Sequence, residues 1–153
     1  MKIVRTNQME WAEGMNQGAF MGRRKGLGGE KLSCGLWQLP PGKKSFPFHA
    51  HQVTEEALFV LSGQAKVRTP EGEEPIGPGD FVSFPAAGPA HQLVNDGSET
   101  LVYIAIAAGQ GADVIEYPDS GKVACYVGAK GNKKHFMFRA ADQVGYFDGE
   151  EDA

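Results

Sequence analysis

The chain has 153 residues, the size of one domain, and a formal net charge of −4, so it offers no global attraction for a phosphate backbone. Hydrophobic residues at 41% and charged residues at 22% match an ordinary folded domain and exclude a disordered one. The longest apolar run, Leu101 to Ala108, falls far short of the roughly 18 residues that a membrane span requires, so neither nucleic acid nor membrane is expected as a partner.

The 21 glycines and 9 prolines demand many tight turns and favour short strands over long helices. Residues 1–30 hold six glycines and no sustained periodicity, and read as an irregular N-terminal arm. Within it, Arg23-Arg24-Lys25 reads as solvated charge, as does Lys133-Lys134 further on. The barrel core is expected over 31–108. Its first strand, Leu32 to Leu39, ends at Pro40-Pro41-Gly42, and a second carries Phe46 to His51. Ala57 to Leu61 and Ala65 to Thr69 read as a hairpin joined through Ser62-Gly63-Gln64. Past an exposed Glu71-Gly72-Glu73 tip come Phe81 to Phe84, Gln92 to Asn95 and Leu101 to Ile106. Short strands at this spacing suggest an all-β sandwich or barrel. Residues 109–153 are expected to add a hairpin, Val114 to Tyr117 with Lys122 to Val127, and an acidic tail from Asp148.

The first thirty residues lack the apolar stretch and cleavage pattern of a signal peptide. The two cysteines, Cys34 and Cys125, stand far apart and form no disulfide framework, so a cytoplasmic location is expected. Gly109-Gln110-Gly111 is not followed by a helix signal or a P-loop lysine, and no Gly-x-Ser-x-Gly occurs, so nucleotide binding and serine hydrolase chemistry are unsupported.

Three of the four histidines fall in two short windows; His135 stands apart and reads as surface. In a strand, residues two apart share a face, so His49 and His51 form a chelating pair. Glu56 enters the next strand and can return to the same side, and His91 supplies a ligand from a remote strand. Imidazole with carboxylate suits a divalent transition metal (Fe, Mn, Zn, Ni or Co) and not Cu(I), which prefers sulfur. Four such ligands around an octahedral ion leave two positions for water, substrate or dioxygen.

The two windows resemble the two signature motifs of the cupin superfamily. Gly42, His49-Ala50-His51, Glu56 and Gly63 follow the first. Gly79, Pro85, Gly88, His91 and Asn95 follow the second. Two spacings depart by one residue: six residues separate Gly42 from His49 instead of five, and two separate Pro85 from Gly88 instead of one. The resemblance covers about residues 33–108. It implies a jelly-roll β-barrel (double-stranded β-helix) with a metal held by His49, His51, Glu56 and His91. The spacing to Gly63 selects Glu56 over Glu55. Cupins often dimerise through a shared or exchanged strand, so a homodimer is expected, with the N-terminal arm able to serve it.

Around the ligands, Gln38, Phe46, Phe48, Phe84 and Tyr103 are candidate pocket residues, and Gln92 and Asn95 are polar neighbours. Asn95 is expected to fix a turn near His91, and Trp37 to belong to the core. Glu55 and Tyr103 are the candidate catalytic groups: Glu55 as a base if it faces inward, Tyr103 through a hydroxyl that needs a partner. The resulting expectation is a metalloenzyme acting on a small polar or carboxylate-bearing molecule. Dioxygenase, sugar or sugar-phosphate isomerase and decarboxylase or lyase chemistry all occur on cupins. The alternative is a non-catalytic cupin that binds or senses a small ligand.

Overall fold

The computed structural model describes residues 1–29, 31–109, 111–128 and 134–150. Gln110, Lys133 and the last three residues of the acidic tail lie outside the described residues. No helix among the described residues is long and apolar enough to cross a membrane.

The fold is a double-stranded β-helix. One wall is a six-stranded sheet in the order β1 (Ala12–Gln17), β2 (Phe20–Gly28), β3 (Leu32–Leu39), β10 (Leu101–Ala108), β5 (Glu55–Ser62) and β8 (Phe81–Phe84). The facing wall has two parts. β13 (Lys134–Arg139), β12 (Lys122–Val127), β11 (Asp113–Tyr117) and β4 (Ala50–His51) form one part. β7 (Gly72–Ile76), β6 (Ala65–Thr69) and β9 (Gln92–Val94) form the other. Single bridges Lys44↔Val94 and His49↔His91 stitch these parts together.

Period-two alternation places the core. On β5, Leu58 and Val60 are buried while Phe59 and Leu61 are exposed, as expected of a strand with one face inside. Leu58 and Val60 meet Leu39, Val67, Leu93 and Leu101 between the walls. Where the second wall turns outward, Arg68 forks onto Asp119 at 2.7 and 2.8 Å and lies over the Phe48 ring, tying β6 to the turn after β11.

Several expectations are corrected. The arm over residues 1–30 is not irregular: β1 and β2 form an antiparallel hairpin that extends the six-stranded sheet through β3. Glycines at Gly22, Gly26 and Gly28 blank out the alternation that would have marked it. Ser62-Gly63-Gln64 does not close a hairpin, because β5 pairs with β10 and β8 while β6 pairs with β7 and β9. The turn crosses between walls instead. Gly63 has φ +81°, and a Cβ there would sit 2.8 Å from the Thr100 carbonyl oxygen, so only glycine passes. Residues 46–51 are mostly bent, leaving only Ala50–His51 as a strand. The segment after 108 is part of the barrel, not an extension, since Ile115 and Glu116 of β11 pair with His51 and Ala50.

Candidate metal centre

The two motifs meet through the backbone. His49 and His91 exchange both main-chain hydrogen bonds, at 3.1 and 2.8 Å, so their side chains leave neighbouring strands side by side. His51 follows His49 on the same face, and Glu56 reaches in from β5 across the barrel. Glu56 Oε2 lies 3.5 Å from His49 Nε2, 3.5 Å from His51 Nε2 and 3.3 Å from His91 Nε2.

The outer ring nitrogens fix the tautomers. His49 Nδ1 lies 2.8 Å from the Pro47 carbonyl and His51 Nδ1 2.6 Å from Asp113 Oδ2, so both Nδ1–H groups donate outward and both Nε2 atoms are turned toward Glu56. His91 is held differently: its ring stacks on Phe84 at 3.7 Å and 8°, and its buried Nδ1 has no partner among the described residues. Burial by itself raises the Glu56 carboxyl. Hydrogen bonds from His49 and His91, with the charge of His51, outweigh burial and hold it well below the usual carboxylate range. A carboxylate ionised at any physiological pH is the form a cation needs.

The donor set fits a divalent metal. Ligand atoms about 2.1 Å from an ion and 90–110° apart are separated by about 3.0–3.4 Å, close to the observed spacings. The donor atoms of His49, His51 and Glu56 all lie within 4.8 Å of one another. Two imidazoles and one carboxylate make up this group, the nitrogen and oxygen mixture that first-row divalent metals favour, and His91 stands beside it with Nε2 3.3 Å from Glu56 Oε2.

The extra residue in the second window has a visible use. Ala87, in the Pro85 to Gly88 turn, takes the left-handed conformation at φ 55°, and its N–H donates to the His51 carbonyl at 2.8 Å. The irregular turn thereby pins the back of a ligand strand.

A cavity of about 60 Å³ opens beside His49, Glu56 and His91, with Phe46, Phe84 and Tyr103 among its walls. Tyr103 is buried, and its phenol is pushed well above its ordinary value by burial and by the Glu56 charge. Gln92, which lines the cavity, donates from Nε2 to the Phe46 carbonyl at 2.7 Å, which fixes the amide and leaves buried Oε1 without a partner among the described residues.

Three expected pocket or catalytic residues lie elsewhere, and alternation explains each. Gln38 neighbours inward-facing Trp37 and so points outward, where Arg23 Nη2 donates to it at 2.9 Å. Phe48 is on the face opposite His49 and packs with Ala50 and Ala90. Glu55 is exposed on the outer side of β5, away from Glu56. Two residues that sequence reasoning missed do belong here. Asp113 orients His51. Tyr117 stacks on His49 at 6.2 Å and 24°, its phenol raised to about 12 chiefly by burial. Both lie on β11, outside either motif.

Two walls closed over an inward His-His-Glu group define a double-stranded β-helix able to seat a divalent ion. The chain belongs to the cupin superfamily: the model of the Cupin domain matches residues 35–107, and full-length relatives share the fold. One is a candidate sugar phosphate isomerase of Acidithiobacillus ferrooxidans, 32% identical, with a TM-score of 0.80 over 94% of this chain and 95% of that one. A second, from Silicibacter pomeroyi, is a sugar phosphate isomerase of the cupin superfamily, 20% identical, TM-score 0.78, over 96% and 98% of the two chains. A third, a predicted oxalate decarboxylase of Thermotoga maritima, is 21% identical, TM-score 0.63, over 71% and 100%. The latter two share the fold. No curated protein matches the chain.

Proposed function

We propose that this cupin is a metal-dependent isomerase of a small sugar phosphate. The observation that carries the reading is the convergence of three imidazole Nε2 atoms on Glu56 Oε2 beside a cavity that also presents Tyr103 and an unpaired amide oxygen. The 32% identity to a candidate sugar phosphate isomerase along nearly the whole chain supports the choice of reaction.

Interconversion of an aldose and a ketose moves one proton between adjacent carbons and one between their oxygens, so it needs no oxidant or reductant. A bound divalent ion supplies polarisation of the substrate carbonyl. The protein's own groups supply the rest of the setting. Tyr103 stays protonated at neutral pH and is a hydrogen-bond donor to a substrate oxygen. Gln92 Oε1 accepts from a substrate hydroxyl. Phe46 and Phe84 narrow the cavity and exclude water from the exchanging proton.

The test is deuterium wash-in. Untagged protein, analysed first for metal content, is incubated in D2O with aldose and ketose phosphates of three to six carbons. Exchange at the carbon beside the carbonyl is expected. His49→Ala and His91→Ala are expected to lose both metal and exchange while retaining a β-sheet circular dichroism spectrum. Metal-replete protein that exchanges none of these compounds overturns the isomerase reading. Unchanged metal content in both variants overturns the site.

A further inference from the structure

A second, larger recess leads away from the metal centre across the six-stranded sheet. Its volume is about 500 Å³, within the range of small-molecule sites, and it shares Phe46, Glu56, Ala105 and Ile106 with the smaller cavity. The strand register explains its shape. Gly26, Gly35 and Ala105 stand in one row across β2, β3 and β10, and Ser33 and Ala107 lead in the next row to Glu56. These are residues with little or no side chain: the absence of a Cβ at Gly35 admits the Trp37 indole, whose Nε1 would stand 2.8 Å from one, and the space over Gly26 is open, so the inner face keeps a trough beside the indole. Along one side, Trp37 and Tyr103 stack at 6.4 Å as a wall.

At the far end of that wall stands Arg24, directly opposite Trp37 in the β2–β3 register. Its guanidinium carbon lies 5.8 Å from the Trp37 ring centroid, and Arg24 lines the recess. Its neighbours in the basic run are engaged elsewhere: Arg23 with Gln38, and Lys25 with the Thr6 carbonyl and the Trp11 ring. The Arg24 side chain has no ion pair or hydrogen bond among the described residues, and it is the one cation among the described residues lining the recess. Three strand spacings across, about 14 Å, and four residues along, about 13 Å, set Arg24 and Glu56 about 19 Å apart on the diagonal, and the two side chains shorten that span from both ends.

We infer that this trough is the substrate channel and that Arg24 is the anchor for the substrate's phosphate, holding the sugar along the glycine row with its carbonyl end at the His-His-Glu group. A guanidinium presents a planar fork of donors that fits a phosphate in two-point contact, and stacking on an aromatic face pre-orients it. The inference rests on the isomerase reading for the choice of sugar phosphate. The anion contact itself stands apart from catalysis and can be measured without turnover.

The probes are D-ribose 5-phosphate, D-ribose and D-ribonate, titrated calorimetrically into the full chain. Ribose 5-phosphate is expected to bind more tightly than ribose or ribonate. Arg24→Ala is expected to weaken ribose 5-phosphate about tenfold or more, leave ribose unchanged and leave metal content unchanged, with Arg24→Lys recovering part of the loss. Gly26→Leu is the second variant. A Cβ at Gly26 meets nothing within 4 Å, so the strand accommodates the change while the side chain fills the trough. It is expected to lose binding of ribose 5-phosphate with metal retained. Equal affinities for ribose 5-phosphate in wild type and Arg24→Ala, or normal binding by Gly26→Leu, overturn the channel. Tighter binding of ribonate than of ribose 5-phosphate overturns the phosphate assignment. Absence of proton exchange with Arg24-dependent binding intact sinks the isomerase reading alone.

Discussion

Asp113 and His51 are 62 positions apart in the chain, and Asp113 Oδ2 lies 2.6 Å from His51 Nδ1. The second carboxylate oxygen accepts the Val53 N–H at 2.9 Å, so the group clamps both the ring and the backbone that follows it. Burial raises the Asp113 carboxyl, but hydrogen bonds from Thr54, His51 and the Val53 N–H overcome this and hold it below its ordinary value. It is therefore ionised at neutral pH and accepts the His51 Nδ1–H, which turns Nε2 toward the centre.

Asp113→Ala is accordingly expected to weaken metal affinity about 10–100-fold with the barrel intact. Competition against a chromophoric chelator measures it, with circular dichroism as the folding control. An unchanged affinity would mean that the strand alone orients His51.

Asn95 plays the corresponding part for the backbone. It is fully buried, its Nδ2 donates to the Leu39 and Glu99 carbonyls at 2.8 Å each, and its Oδ1 accepts from Gly97. Its main chain exchanges bonds with Gly42 and Lys43, so the end of the second motif is tied to the start of the first. Asn95→Ala is expected to cost about 2–3 kcal/mol by urea denaturation, because it strands the buried Leu39 carbonyl and the part-buried Glu99 carbonyl and Gly97 N–H. A loss under about 0.5 kcal/mol would show that water replaces the amide.

The grouping of His49, His51 and Glu56 and the strands β3, β5, β6, β8, β9 and β10 were legible because local spacing encodes them, whereas β7 was hidden behind its polar Glu71-Gly72-Glu73 tip. Side-chain alternation distinguishes Glu56 from Glu55, and Gly63 marks where the chain must cross a backbone. What stayed hidden depended on pairing over long distances or on missing side chains. Nothing local to Asp113 announces that β11 lies against β4, so its meeting with His51 could not be read from its neighbours. The β1–β2 hairpin was obscured by the glycines that keep the trough open above it. The feature that shapes the recess also removed the periodicity that would have revealed the strand.

Tyr103 gives the barrel an alkaline limit. Its phenol is buried between Trp37 and the Glu56 charge, and both burial and that charge raise it well above the ordinary value of 10.0. In the unfolded chain the same group ionises near 10, so above that pH the unfolded state gives up a proton that the folded state keeps. Stability is therefore independent of Tyr103 below about pH 10 and falls as pH rises beyond it, by at most about 1.4 kcal/mol per pH unit. Tyr117, raised to about 12 and half-buried, adds a smaller contribution of the same sign. Urea denaturation of the metal-free protein between pH 9 and 11.5 is expected to show this decline. Tyr103→Phe is expected to remove most of it, leaving the residual slope from Tyr117. Identical slopes in the two proteins would place water at the Tyr103 hydroxyl and end its role as a phenol kept protonated by burial.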